Sequence, residues 1–352
     1  MIVKTFSQLA RNHPYIFKAY LFYLVLCVAY IIRIHLMIKT ISKLTPQLKA
    51  KFCASIPDTK KWNPLLTYFG LAVLVPPRLI IVLFMAFCYM ISAQFLLYKV
   101  NMNSLSGYLR VALLRKLGSF YTRIILVGLG FIMVKNERKT DIDWQKYPNI
   151  RKSSQKAPII ISNHLSFTDI AYTIYKYTPA LISSIHVKSM PIVGIVATGL
   201  ECVFLDRESR SSREATLSTI VSKVDEIQRN PKKAPLMIFP EGMTGKGGYI
   251  KPFKRGAFYS LAPITPLHFS YKAISYITSY YFFDFHDDLL LTMAEPFQMM
   301  TVTQMPTIEP TTTDYSKYCN DVYELYKNEF NMTAVEINLK ERDQFIRKII
   351  NP

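Results

Sequence analysis

The chain has 352 residues, with 43 Lys and Arg against 24 Asp and Glu, and a formal net charge of +19. This length and a 50% hydrophobic content allow one large α/β domain together with membrane segments. The excess positive charge favours an anionic partner. The sequence contains no zinc-ligand spacing and no nucleic-acid recognition motif, so we exclude nucleic acid and expect membrane lipids as partners.

Two apolar segments near the N-terminus predict membrane helices. Leu79–Tyr98 carries no charge and is long enough to span a bilayer. Ala19–Ile32 is shorter and reaches bilayer length if its flanking basic side chains snorkel. Between them, Leu65–Val75 is expected to dip into the bilayer and to end before Pro76. Basic residues lie on both sides of Leu79–Tyr98, so a hairpin with both ends on one face is the expected topology.

Residues 104–120 form a basic amphipathic pattern, with Leu105, Leu109, Leu113 and Leu117 at helical spacing. The pattern predicts a helix. Two placements remain open for it, the membrane interface or the core of the following domain.

An apolar strand is predicted to deliver a histidine to its C-terminal end. Residues 157–162 are rich in β-branched side chains and lead into Asn163-His164. Asp169 follows with His-x4-Asp spacing, where a helix is predicted over Ile170–Tyr175. An imidazole oriented by a carboxylate is a general base for a hydroxyl proton. We therefore predict that His164 and Asp169 are catalytic, with a substrate alcohol as the nucleophile.

Two further predicted strands end in polar side chains. Cys202–Leu205 is followed by Asp206 and Arg207, and Leu236–Phe239 is followed by Pro240-Glu241-Gly242. Taken singly, the first pair is compatible with a surface ion pair and the second group with an ordinary turn. Together they place a base, a cation and an acid at strand ends.

The spacing of these segments predicts an α/β fold with a mixed, largely parallel sheet flanked by helices. Ala215–Ile227 has apolar residues at helical spacing and lies between two of the strands, as in a βαβ unit. Open sheets of this kind bind ligands beyond the carboxyl ends of their strands. A further strand, Ile264–Phe269, contains prolines that predict a position at the sheet edge.

In this order, the polar segments resemble the four blocks of the phospholipid/glycerol acyltransferase family. The similarity covers about residues 105 to 300. Met243 departs from the family pattern, which has threonine directly after the glycine of the third block, and Thr244 is displaced by one position. Phe253–Phe258 looks like the segment before the last block of lysophosphatidylcholine acyltransferase-like members. The blocks are Asn163–Asp169, Gly199–Arg207, Phe239–Gly242 and Ala262–Leu267.

The resemblance implies transfer of an acyl group from acyl-coenzyme A to the free hydroxyl of a lysophospholipid. Acyl-coenzyme A would be a co-substrate, with no permanently bound cofactor and no metal. We expect Arg207 to bind phosphate, because a guanidinium matches phosphate bidentately. Since Arg207 is the one cation placed at a strand end, a lysophospholipid is expected in preference to glycerol 3-phosphate. The expected substrate-binding residues are Asn163, Asp206, Arg207, Phe239, Pro240, Glu241, Gly242 and Lys254.

We divide the chain into a membrane-anchoring region at residues 1–102, an acyltransferase domain at 103–300 and a C-terminal helical extension at 301–352. The membrane helices are expected near residues 15–35 and 79–98. Residues 303–315 are expected to be a linker before a helix over Tyr315–Phe330.

We expect an integral membrane protein of the endoplasmic reticulum. The first acidic residue is Asp58, so a mitochondrial targeting segment is compatible with the N-terminus, and the mitochondrial inner membrane is the alternative location. The alternative function is that of an accessory subunit with an acyltransferase fold in a large membrane complex, which binds lipid with or without turnover.

Overall fold

The computed structural model of the chain describes residues 13–58, 60, 62–99, 105–190, 193–205, 211–230, 232–275, 282–337 and 339–350. Its strands are β1 Met133–Arg138, β2 Ile150–Lys152, β3 Ile159–Ser162, β4 Ala180–Ser184, β5 Val203–Leu205, β6 Leu236–Ile238, β7 Tyr249–Ile250, β8 Ile264–Ala273, β9 Gln298–Gln304, β10 Ile308–Pro310 and β11 Thr333–Ala334. Nine of these described strands form one mixed sheet, in the order β1–β9–β8–β3–β6–β4–β5, with β10 paired to β2 and β8. A separate short pair joins β7 and β11.

Helices cover both faces of this sheet and form the N-terminal region. The helices are α1 Pro14–Ser42, α2 Pro46–Lys51, α3 Pro64–Phe69, α4 Val75–Leu97, α5 Leu105–Gly128, α6 Phe167–Tyr177, α7 Ile185–Lys188, α8 Val193–Gly199, α9 Ser211–Arg229, α10 Phe285–Ala294, α11 Tyr315–Glu329 and α12 Leu339–Ile350.

The centre of the sheet is parallel, as the βαβ pattern predicted. β3 pairs in parallel with β6 on one side and with β8 on the other, and β4 pairs in parallel with β6 and β5. The antiparallel pairing of β8 with β9 makes the sheet mixed. The predicted α/β fold is therefore confirmed, and the carboxyl ends of β3 and β6 lie side by side.

Alternating side chains of β3 enter two different cores. Ile159 and Ile161 belong to an apolar cluster with α9 and α11, whereas Ile160 belongs to a cluster with α5, α6 and α10. This period-two division follows from the pleat of a strand. Because both faces are covered, β3 is a continuous apolar run rather than an alternating one.

Two described helical runs are long and apolar enough to cross a membrane. They are α1, with 29 residues, and the continuous run Pro64–Leu97, with 34 residues. The second run does not break at Pro76 as expected. A π-helical turn at Gly70–Leu74 precedes the prolines, and Val75 donates its N–H to the Gly70 carbonyl. The prolines follow at the start of α4, so the π-helical turn lies where they interrupt the hydrogen-bond ladder of the continuous helix.

Gly70 also permits a close helix contact, since a Cβ at this position would lie 1.8 Å from the Ala294 carbonyl oxygen. Arg78 in α4 donates to the carbonyls of Met293 and Glu295, at 2.6 Å each, and thereby caps the end of α10. The apolar N-terminal run is thus fastened directly to α10, which packs on the central sheet.

Of the two placements that its sequence left open for helix α5, the structure shows the core placement for one side of the helix. Leu114 and Leu126 are fully buried, whereas Leu109 and Leu113 are exposed. One side of the helix is therefore core, and another side presents leucines outward.

The prediction that the proline-containing strand lies at an edge was wrong. β8 is interior, between β3 and β9. The Pro266 carbonyl accepts from Met305 N–H at 3.0 Å. Because the nitrogen and the carbonyl of a strand residue point to the same side, the nitrogen of Pro266, which has no hydrogen, also faces the end of β9. The antiparallel ladder stops next to it, at the pair Leu267 and Gln304. A proline is tolerated there because only the last bond of the ladder is lost.

The predicted boundary at residue 300 falls inside β9, and the predicted linker at 303–315 contains the end of β9 and the whole of β10. Both strands pair within the central sheet, and α11 contributes Tyr318, Val322 and Leu325 to its core. The polar, threonine-rich composition of this segment concealed its strands. The domain built on the central sheet therefore continues through α11.

The residues beyond α11 pack against two parts of the chain that are far apart in sequence. β11 pairs in parallel with β7. In α12, Phe345 stacks on Phe52 with ring centroids 4.0 Å apart, and Glu341 lies 2.9 Å from the Lys51 ammonium. The C-terminal segment thus ties the connection after α2 to the domain that carries β7.

Candidate active site

The loop after β3 is shaped by the start of α6. Ser166 is the N-cap of α6, and Asp169 is its third residue, so that the two form a reciprocal capping box. His164 lies immediately before this cap. The spacing of His-x4-Asp therefore has a local structural cause, because the cap turns the chain until the Asp169 carboxylate faces back toward the histidine.

The Asp169 carboxylate is fully buried and accepts several hydrogen bonds. Its Oδ2 atom lies 2.8 Å from His164 Nδ1 and accepts the backbone N–H groups of Leu165 and Ser166 at 2.6 and 3.0 Å. With Nδ1–H donated to Asp169, the neutral imidazole has its lone pair on Nε2.

Tyr271 completes the environment of Asp169, and sequence reasoning missed it. Its phenol on β8 donates to Asp169 Oδ1 and accepts from the Thr168 hydroxyl at 3.1 Å. Burial, together with the adjacent carboxylate, raises the pKa of Tyr271 well above its usual range. The phenol therefore keeps its proton and remains a hydrogen-bond donor to Asp169. The signal in the sequence was weak, because Tyr271 is one of many aromatic residues in apolar runs.

Glu241 reaches the same loop from the neighbouring strand β6. Its Oε1 atom accepts the His164 backbone N–H at 3.1 Å, and its Oε2 atom lies 2.9 Å from the Lys251 ammonium. Glu241 and Lys251 are 3% and 4% exposed. The predicted proximity of base and acid is therefore present. The contact runs through the histidine backbone and not through its ring.

The residues next to Glu241 in the sequence contact the His164 imidazole on one side and Lys254 on the other. Phe239 stacks on the His164 ring with centroids 3.9 Å apart. The Pro240 carbonyl accepts Lys254 N–H at 2.8 Å. Gly242 has φ of +69°, and a Cβ there would lie 2.3 Å from Lys254 Nζ. The turn therefore requires glycine, and it brings the predicted Lys254 next to the third block.

Asn163 differs from its predicted role. It is 1% exposed, and its amide accepts from Phe269 N–H at 2.7 Å and donates to the Phe269 carbonyl at 3.0 Å. These two bonds fasten the end of β3 to β8. The geometry does not support direct substrate contact by Asn163, because its amide is committed to the backbone of the neighbouring strand.

Asp206 and Arg207 lie outside the described residues. The strand that leads to them, β5, is separated from β3 by β6 and β4. Among the described residues, no group of three or more His, Cys, Asp or Glu side chains is arranged to hold a metal ion.

The assembled site can remove a proton from an alcohol. His164 retains 16% side-chain exposure, whereas Asp169 is inaccessible. The imidazole thus faces accessible space with its basic nitrogen, while its other nitrogen, its ring face and its backbone are held by protein groups. Such an arrangement suits general-base catalysis.

Comparisons with known proteins point to one family. Residues 142–270 match the acyltransferase family. The chain is 26% identical over 255 residues to lysophospholipid acyltransferase LPEAT1 of Arabidopsis thaliana, covering 68% of this chain and 64% of that protein. It is 27% identical over 205 residues to lysophosphatidylcholine acyltransferase 2B of Rattus norvegicus, covering 57% and 37%. The chain therefore spans less than two thirds of the length of these relatives. The crystal structure of the 1-acyl-sn-glycerophosphate acyltransferase PlsC from Thermotoga maritima aligns with a TM-score of 0.49 and 16% identity, covering 72% of this chain and 95% of that one.

Proposed function

We propose that the chain, whose residues 142–270 match the acyltransferase family, is a membrane-bound enzyme that transfers a fatty acyl group from acyl-coenzyme A to a lysophospholipid hydroxyl. Lysophospholipid and lysophosphatidylcholine acyltransferases are among its curated relatives. The acyl donor, the acceptor and the membrane attachment of this chain are parts of the proposal.

The observation that supports the proposal is the 2.8 Å contact between His164 Nδ1 and the buried Asp169 carboxylate. It leaves Nε2 as the base. The acceptor hydroxyl oxygen attacks the thioester carbonyl carbon while Nε2 takes its proton. Asp169 stabilises the resulting imidazolium. When the C–S bond breaks, the coenzyme A thiolate leaves and recovers the proton from the imidazolium, so no covalent acyl-enzyme is needed.

The acceptor would be held by cations near the strand ends. We assign phosphate binding to Arg207, with Asp206 beside it in the sequence, and we place Lys254 near the third block. Lys254 is exposed and lies beside Gly242, so its charge is accessible to a phosphate. An acceptor that already resides in the bilayer also suits a chain with two long apolar helical runs.

The test is a transfer assay with purified protein in lipid or detergent. Radiolabelled acyl-coenzyme A is offered with lysophosphatidylcholine, lysophosphatidylethanolamine, lysophosphatidic acid or glycerol 3-phosphate, and kcat/KM is compared. We expect transfer to lysophospholipids that carry a head group, with His164→Ala as the inactive control. Preference for glycerol 3-phosphate would overturn the acceptor class. Absence of transfer to every acceptor would overturn the enzymatic function in favour of a lipid-binding subunit.

A further inference from the structure

Lys251 is a buried cation that the resemblance did not single out for catalysis. Its ammonium lies 2.9 Å from Glu241 Oε2, and its own backbone N–H donates to the same oxygen at 3.2 Å. The side chains of both partners are almost completely removed from solvent, at 5% and 2% exposure. A buried carboxylate is strongly disfavoured without a counter-charge. Lys251 is therefore the counter-charge that the buried Glu241 carboxylate has in this position.

The ion pair is connected to the base through the protein backbone. Glu241 Oε1 accepts the His164 N–H at 3.1 Å, and the His164 carbonyl accepts from Gly245 N–H at 2.9 Å. Both polar groups of the His164 backbone are thus bound by the segment 241–251. Gly245 lies directly over the ammonium, because a Cβ at this position would be 2.1 Å from Lys251 Nζ.

We propose that Lys251 is a positioning residue for the general base, acting through Glu241 on the His164 backbone. Lys251 is buried, so it does not contact the substrate. Asp169 and Phe239 hold the imidazole itself, while the pair of Lys251 and Glu241 holds the peptide from which the imidazole extends. Loss of the ammonium leaves a buried carboxylate without its counter-charge next to the His164 N–H, and the loop must rearrange.

The inference rests on the proposed function, and a double-variant cycle tests it. Lys251→Met keeps an unbranched side chain of similar length but removes the charge. We expect kcat to fall about 10²-fold, since a misplacement of roughly 1 Å can have that effect, with KM for lysophospholipid changed less than about threefold. In Glu241→Gln/Lys251→Met, the amide oxygen can still accept the His164 N–H and no buried charge is left. We expect this double variant to recover at least about tenfold of the lost kcat, as non-additivity of coupled residues requires.

A second measurement separates this inference from the proposed function. The rate at which diethyl pyrocarbonate modifies His164, followed by peptide mass spectrometry, reports the position of the imidazole without turnover. We expect the rate to change at least about threefold in Lys251→Met and to return toward the original value in the double variant. Lys317→Met, on an exposed lysine of α11, is the matched control and should change neither quantity.

The outcomes are distinct. An inactive wild-type protein would overturn the proposed function, and the modification rates would still decide the role of Lys251. Unchanged kcat and unchanged His164 reactivity in Lys251→Met would overturn the positioning role. A raised KM with normal kcat would also overturn it, because Lys251 would then act in substrate binding. If Lys251→Met does not fold, normal reactivity of His164 in the double variant supports the inference, and altered reactivity opposes it.

Discussion

The Asp169 carboxylate has both a structural role and a chemical role. As the third residue of α6 it accepts the Leu165 and Ser166 N–H groups, and as the partner of His164 it fixes the imidazole. The two tasks can be separated experimentally, because His164 takes part in the second and not in the first. The dyad was predictable from its spacing. Its support by Tyr271, Lys251 and Gly245 was not, because these residues come from segments far apart in sequence.

We predict that His164→Ala and Asp169→Ala differ in stability although both lose activity. General-base catalysis contributes about 10²–10⁴-fold to rate, so kcat should fall by that order in both variants. Asp169→Ala also leaves buried N–H donors unpaired, which costs about 1–3 kcal/mol for each group. Thermal unfolding of the purified variants checks this, with Tm nearly unchanged for His164→Ala and clearly lowered for Asp169→Ala. Near-normal kcat in either variant would contradict the dyad.

Because of His268, we predict that the free energy of unfolding decreases at acidic pH. Its ring stacks on Phe330 with centroids 3.9 Å apart, and burial lowers the pKa of His268 from 6.5 to about 4. Between these two pKa values His268 binds a proton in the unfolded chain but not in the folded chain. The free energy of unfolding therefore falls as the pH decreases from the higher pKa value to the lower one. The slope is about 1.4 kcal/mol per pH unit. The contribution is fully present above about pH 6.5.

His268→Phe keeps the stacked ring and removes the titration. Between about pH 7.5 and about pH 5, we expect the free energy of unfolding of this variant to fall by about 2 kcal/mol less than that of the wild type. Urea unfolding in detergent measures both. His186→Phe, at an exposed histidine of α7, is the control and should retain the wild-type slope. Equal acid sensitivity of His268→Phe and wild type would show that another group is responsible.

At the scale of elements, the local sequence pattern was sufficient to predict a strand or a helix where one physical signal dominated. β3 and β6 are short apolar runs, and α6 has a complete capping box. The pattern failed where tertiary pairing supplies the stability. β1 contains Lys135, Glu137 and Arg138 and pairs only along β9 among the described strands, so its exposed polar side chains hid a strand. β8 accommodates Pro266 through its register, which no local property of the sequence reveals.

The segment after α11 is expected to contribute stability to the catalytic region. Phe345 is 9% exposed and packs on Phe52, which lies just before Ala54, whose carbonyl accepts Lys246 N–H at 2.9 Å. We predict that Phe345→Ala lowers the free energy of unfolding by about 3–4 kcal/mol, the lower part of the range for buried phenylalanine.

Thermal unfolding and limited proteolysis of α12 check this prediction. Arg347→Ala, on the exposed side of the same helix, is the control and should unfold like the wild type. If Phe345→Ala has the same Tm and the same cleavage rate as Arg347→Ala, the contact with Phe52 is not a stabilising one.

At the scale of the whole molecule, apolar exposure is concentrated where the chain also has its longest helices. On α4, Leu83 is 59% exposed and Phe87 is 52% exposed, and neither is covered by the catalytic domain. Exposed apolar surface of this extent is a site for membrane or protein contact. The net charge of +19 adds attraction to anionic lipid. Because Arg78 and Gly70 join this helical run to α10, the site lies on a domain that is tethered directly to the apolar run.

We therefore predict that the protein stays in the membrane pellet after both high salt and alkaline carbonate. Screening of charge releases proteins held by basic residues alone, but it does not release a helix in the hydrocarbon core. Leu83→Arg/Phe87→Arg should move the protein to the supernatant or prevent its accumulation in membranes, because each arginine near the bilayer centre costs about 2.5–3.5 kcal/mol on insertion scales. Ser222→Arg/Gln228→Arg adds the same charge to exposed positions of α9 and should leave the protein in the pellet. Release of the wild type by salt alone would make the attachment peripheral. Equal retention of the two arginine variants would show that this face of α4 does not contact lipid.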